Sequence, residues 1–152
     1  LDGEIYKRVW VGAIPEMETA LSRMMDRDIF MVGQAFRLNY EGELPNRMIH
    51  TDVGHGDLAA VLYLNEHENS GTAFFEHKET GRNCLFPGEM RLDRQLRNDY
   101  NDLDKWDITH HIPAKQNRVI VYSSYMFHSR YPFEGHGTTP EDGRLIAVAF
   151  FK

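Results

Sequence analysis

The residue types best suited to chemistry are His50 and Asp52, in the stretch Arg47-Met48-Ile49-His50-Thr51-Asp52-Val53. Residues two apart in an extended strand point to the same side, so both side chains can face one cavity. An imidazole nitrogen and a carboxylate oxygen suit a first-row divalent cation, and a second histidine would complete a 2-His-1-carboxylate set that leaves three positions open on Fe(II). His128 is the candidate for that third ligand. It lies 76 residues beyond Asp52, so the fold must bring the two together. Arg144 follows 16 residues after His128, at the head of an apolar run. A guanidinium there can grip a carboxylate through two parallel hydrogen bonds, which a lysine does less specifically. Arg130, two residues after His128, is a rival for the same task.

Positioning these residues calls for many short strands. Residues 5–14 read as a strand by their β-branched and aromatic content. Pro15 then opens a helix with Glu16 and Glu18 in its first turn and Met17, Leu21, Met24 and Met25 on one face, ending near Arg27 or Asp28. Those methionines read as core packing. Strands follow at 34–40, around His50, and at 57–65, where a nearly continuous apolar run implies burial on both faces. A further strand spans 71–77, and the charged stretch 87–105 reads as a helical excursion across a barrel mouth. The last strands fall at 106–112, 118–124 and 144–151, with a Gly- and Pro-rich loop at 132–143. One early helix, many strands and no βαβ alternation predict a mainly β fold with few helices, a double-stranded β-helix of the jelly-roll or cupin-like type.

At 152 residues the chain fits one domain that can bury a core without disulfides. Its single cysteine, Cys84, cannot form an internal disulfide, which accords with a reducing compartment where iron stays Fe(II). No run of 18 apolar residues and no secretory signal pattern is present, so the expected location is cytoplasmic, with no membrane partner. The chain starts at Leu1 rather than Met, as a fragment of a longer protein would. A net charge of −6 disfavours nucleic acid and moves the expectation towards a small-molecule or peptide substrate. His55, His67, His77 and His136 read as surface or loop residues, and of the adjacent His110 and His111 at most one can enter a site. Oligomeric state has no signal.

Taken together, His50-x-Asp52, distal His128 and Arg144 before an apolar strand resemble the Fe(II)/2-oxoglutarate-dependent dioxygenases, most closely their prolyl-hydroxylase-like branch. Leu62-Tyr63-Leu64-Asn65 followed by Ser70-Gly71-Thr72 is similar to that branch's Tyr-Leu-Asn strand and Gly-Gly turn, and Tyr40 stands ten residues before His50, where the branch places a co-substrate tyrosine. The likeness covers roughly residues 34–152. It implies that His50, Asp52 and His128 hold Fe(II), that 2-oxoglutarate chelates the metal, and that Arg144, Tyr63 and Tyr40 line the co-substrate site. It further implies that O2 is consumed and a substrate C–H is hydroxylated, with release of succinate and CO2. The retained Asp52 argues against a halogenase. Three departures stand out: the long spacing from His128 to Arg144, Ile146 in place of a Ser or Thr two residues after the arginine, and Ser70 in place of the first Gly. Two other readings predict different behaviour: a redox-inert cupin-like metalloenzyme would not need Arg144, and a non-catalytic jelly-roll binding module would not need His50 or His128.

Overall fold

A computed structural model of the chain describes residues 8–44, 47–68 and 70–152. In chain order the elements are β1 (Val9–Val11), α1 (Pro15–Met25), β2 (Met31–Asn39), β3 (Leu58–Tyr63), β4 (Gly71–His77), α2 (Met90–Leu96), a 3-10 turn (Leu103–Lys105), β5 (Trp106–Pro113), β6 (Val119–Ser123), β7 (His128–Tyr131) and β8 (Arg144–Phe151). The fold is mainly β, with two antiparallel sheets: one ordered β1-β2-β8-β3-β6, the other β5-β4-β7. Among the described residues no helix is long and apolar enough to cross a membrane.

The first sheet is sorted by period-two alternation. Ala60, Ala147, Ala149 and Phe151 bury one face against Met17 and Leu21 of α1. Val61, Tyr63 and Ile146 point to the other face, with Ile120, Tyr122 and Val148 packed beside them. This explains the continuous apolar run of β3: it is covered on both sides. The second sheet buries its outer face, Ala73 and Phe75, against Leu96, Tyr100, Trp106 and Phe127. Its inner face turns Phe74 towards Tyr122, with ring centroids 5.1 Å apart, so the two sheets meet across a sandwich.

Several expected boundaries move for identifiable reasons. α1 stops at Met25 because Asp26 adopts a left-handed conformation, φ 52°, and the amides of Asp26 and Arg27 close back onto Arg23 and Ser22. Met24 is half exposed rather than core. The expected first strand shortens to Val9–Val11, residues 5–7 of that expectation lying outside the described residues. α2 does not cross the mouth of the sandwich: Leu96 and the following Tyr100 cover the outer face of the second sheet. His77 is buried, not superficial, with its ring held between Thr80 Oγ1 at 3.1 Å and Asp99 Oδ2 at 3.2 Å. Gly71 at the head of β4 is sterically required, since a Cβ there would stand 2.2 Å from the Ile112 carbonyl oxygen.

Candidate metal centre

The segment around His50 is held by a different partner at nearly every residue. Met48 N–H donates to Asn101 Oδ1, Ile49 N–H to the Tyr100 carbonyl, and Asp52 N–H to the Ser124 carbonyl. Only His50 makes a ladder pair, exchanging hydrogen bonds of 3.1 and 2.9 Å with His128 of β7. The expected strand is therefore a single bridge. It still does what a strand would: Ile49 is fully buried in the outer core while His50 and Asp52 turn inward.

The donor atoms of His50, Asp52 and His128 all lie within 4.8 Å of one another, and His128 Nε2 is 3.2 Å from Asp52 Oδ2. Ligands at right angles around an ion with bonds of about 2.1 Å stand about 3 Å apart, so this spacing fits a metal. The protonation pattern fits as well. His128 Nδ1 is 2.9 Å from the Met126 carbonyl, which can only accept, so Nδ1 carries the proton and Nε2 presents its lone pair. With the ring neutral, that lone pair and the Asp52 carboxylate oxygen can both ligate one cation. Burial first, and then the neighbouring His128, lower the His50 pKa to about 3, leaving a neutral imidazole able to ligate. Burial pushes the Asp52 carboxyl upward, but its close approach to His128, and then to His50, outweighs this and brings its pKa to about 2, so it stays a carboxylate. Two neutral imidazoles and one carboxylate are the donor state a divalent ion needs.

The three donors line a cavity of about 200 Å³ between the sheets. Its wall is apolar where β2, β3 and β8 contribute Ala35, Ala59, Val61, Ile146, Val148 and Phe150. Arg144, Ile146, Val148 and Phe150 share one face of β8, as alternation requires. Arg144 is 5% exposed, and its guanidinium makes no hydrogen bond or ion pair among the described residues; its nearest aromatic neighbour is the Tyr63 ring, 5.9 Å away. Burial lowers its pKa from 12.5 to about 10. Tyr63 stands behind it, with its hydroxyl donating to Thr72 Oγ1 at 2.7 Å, and Thr72 in turn lines the cavity. Arg130 also reaches the cavity wall, but its Nε donates to the Phe133 carbonyl at 2.8 Å.

Tyr40 stands apart from this group. It does not line the cavity; its ring lies 3.9 Å beneath the Arg8 guanidinium and packs where a Cβ on Gly143 would touch it. Among the lining residues that escaped the sequence reading are Tyr122 and Arg37. Each sits at an alternate position of an apolar strand, on the face opposite the α1 core. Burial raises the Tyr122 pKa far above its usual range, so its phenol keeps its proton.

Residues 43–151 match the model of a family of unknown function, DUF6445, and the chain belongs to that family. No curated protein matches the chain.

Proposed function

We propose that this protein is an Fe(II)- and 2-oxoglutarate-dependent dioxygenase of jelly-roll fold. The observation that carries the reading is one small cavity with a three-residue donor set and a buried guanidinium that has no protein counter-ion among the described residues. A buried charge is costly unless paired, and a dicarboxylate that reaches from the metal to Arg144 supplies the pair.

The strand pairing supports the fold assignment. Pairs β2·β8, His50·His128, β3·β6 and β4·β5 nest one inside the next, as in a single antiparallel ribbon whose far end is the β4–β5 connection. Rolled up, such a ribbon is an eight-stranded jelly roll.

His50, Asp52 and His128 would hold the iron on one side, leaving the other side to ligands. Bound with 2-oxoglutarate and O2, the iron supplies the oxidation: the co-substrate becomes succinate and CO2, and one oxygen atom enters a substrate C–H bond. Arg144 binds the far carboxylate, Tyr63 and Thr72 brace that end, and the Tyr122 hydroxyl donates into the cavity. The aliphatic walls exclude water from the reacting centre.

Anaerobic titration of metal-free protein with Fe(II) and 2-oxoglutarate tests this. A visible metal-to-ligand charge-transfer band that needs both additions, and is lost in His128→Ala, is the expected result. Its absence from folded wild-type protein would remove the reading and leave a redox-inert metal site or a binding module.

A further inference from the structure

The inward residues of β8 run the length of the cavity, from Arg144 through Ile146 and Val148 to Phe150. Residues 144–150 cover roughly 20 Å of antiparallel strand. The co-substrate takes the stretch between the metal donors and Arg144, which leaves the stretch towards Phe150. His55 stands at that end. Its amide donates to the Asp52 carbonyl at 3.1 Å, so the turn that carries it starts at a metal donor. Gly54, with φ 102°, and Gly56, whose Cβ would come within 3.0 Å of the Phe151 backbone, let this turn press against the end of β8. The imidazole then lies over Phe150, with ring centroids 5.0 Å apart and planes 30° apart. His55 is exposed and lines the cavity, and neither of its ring nitrogens makes a hydrogen bond among the described residues.

The floor beside Phe150 is bare. Its cross-strand partners are Gly33 on β2 and Ala59 on β3, and Ala35 stands opposite Val148. The bulge on β2 falls at Val32, between Met31 and Gly33. A Cβ at Gly33 would meet nothing within 4 Å, and its φ lies outside the left-handed region, so neither crowding nor backbone geometry demands glycine there. Glycine inside a strand also marks places where a ligand comes close to the backbone. A flat floor of small residues beside an aromatic ring and an exposed imidazole suits a planar ring better than a branched chain. Val9, Val148 and Arg37 complete the wall on this side.

Resting on the dioxygenase reading, we propose that this end of the cavity is the substrate slot, that the substrate carries an aromatic ring with a hydrogen-bonding substituent, and that His55 determines this specificity. The ring lies against Phe150 over Gly33 and Ala35. The substituent bonds to a His55 nitrogen, which directs the neighbouring C–H bonds towards Asp52 and its fellow donors.

The test follows phenol, toluene and cyclohexanol by ligand-observed NMR on protein loaded with Zn(II) in place of iron and with saturating 2-oxoglutarate. Phenol has both ring and substituent, toluene only the ring, and cyclohexanol the substituent on a puckered body. Wild type is expected to bind phenol about five-fold more tightly than either of the others. His55→Phe keeps the aromatic platform and should lose the preference for phenol over toluene, whereas His55→Asn keeps a hydrogen-bonding group and should retain part of it. Gly33→Leu, whose new side chain has open space on the sheet, should fold as wild type does and weaken phenol and toluene alike. Equal binding of the three probes by wild type overturns the proposal. So does an undiminished phenol preference in folded His55→Phe, or unchanged phenol affinity in folded Gly33→Leu. The charge-transfer band with Fe(II) is recorded on wild type as well. Its absence from folded protein refutes the dioxygenase reading, whereas a normal band without a phenol preference refutes only the slot.

Discussion

Replacing Arg144 by Met removes the buried guanidinium while keeping an unbranched side chain of similar length. The fall of the Arg144 pKa from 12.5 to about 10 is caused first by burial. A cation whose folded pKa lies below its unfolded value destabilises the fold at every pH below the folded value, so at pH 7 the penalty is fully present. Its size is about 3 kcal/mol, at 1.36 kcal/mol per pKa unit, in line with gains of about 1–4 kcal/mol when apolar residues replace buried charges. Ligand-free Arg144→Met should therefore unfold at a temperature roughly 6–12 °C above wild type, at about 2–4 °C per kcal/mol for a chain of this size. Its affinity for 2-oxoglutarate should fall in the opposite sense. Loss of one partner of a buried ion pair costs about 3–5 kcal/mol, roughly a hundred- to several-thousand-fold in Kd. Thermal unfolding with and without 2-oxoglutarate, together with titration of the charge-transfer band, reads both effects. If ligand-free Arg144→Met is less stable than wild type by 1 kcal/mol or more, the arginine is part of the core's own bonding and the argument from an unpaired charge fails.

Other consequences can be checked on the same preparations. Metal at one hundred times its Kd should stabilise the protein by about 2.7 kcal/mol, a rise of roughly 5–11 °C; a chelator should reverse it, and Asp52→Ala should abolish it in calorimetric scans. Gly71→Ala forces a Cβ to within 2.2 Å of the Ile112 carbonyl oxygen and 2.6 Å of His111 Nε2. We expect a loss of about 1–3 kcal/mol by urea unfolding, and an unchanged midpoint would mean that the β4–β5 pairing relaxes freely. Asp142 accepts from the amides of Thr139 and Thr138, which hold its pKa below the usual 3.8. A carboxyl lowered in the fold stabilises it above the unfolded pKa and loses that contribution as pH falls through the folded one. Wild type and Asp142→Asn should therefore differ in stability at pH 6 and converge below pH 3, and a constant difference across that range would contradict the assignment.

Elements whose own side chains dictate their structure were legible in the sequence. β4 and β8 were read to the residue, because each is a short run of strand-forming residues bounded by turn signals, β4 buried almost throughout and β8 nearly alternating. Arg144 was placed at a strand head for the same reason. Features set by the backbone of distant segments were not legible. Asp26 takes the left-handed position usually held by glycine, so the end of α1 carried no ordinary signal. The segment around His50 looked like a strand, but its amides go to Tyr100, Asn101, Ser124 and His128, three of them outside any named strand. Arg37 and Tyr122 lay within strands correctly located, yet which face was the cavity could be settled only once α1 was seen to cover the other. His77 read as superficial because its partners, Thr80 and Asp99, lie in a turn and beyond α2.

The convergence of His50 and Asp52 with His128 depends on the register of one short strand. β7 has only four residues, and a slip of one would turn His128 from the cavity into the outer core. Its register is set by the antiparallel ladder with β4, in which Phe74 stands opposite His128, and is reinforced by bonds just outside β7. Phe127 N–H donates to the Asn83 carbonyl, Phe75 N–H to the Phe127 carbonyl, Leu85 N–H to the Tyr125 carbonyl, and Asp52 N–H to the Ser124 carbonyl. Phe127, fully buried against Trp106 and Tyr100, supplies the side-chain anchor on the outer face. Because alternation puts Phe127 and His128 on opposite faces, burying the phenylalanine outward compels the histidine inward. The same backbone carries the Met126 carbonyl that fixes the His128 tautomer. The aromatic core on one side of the sheet is thus the physical cause of the ligand's orientation on the other, and the donor geometry is as stable as that core.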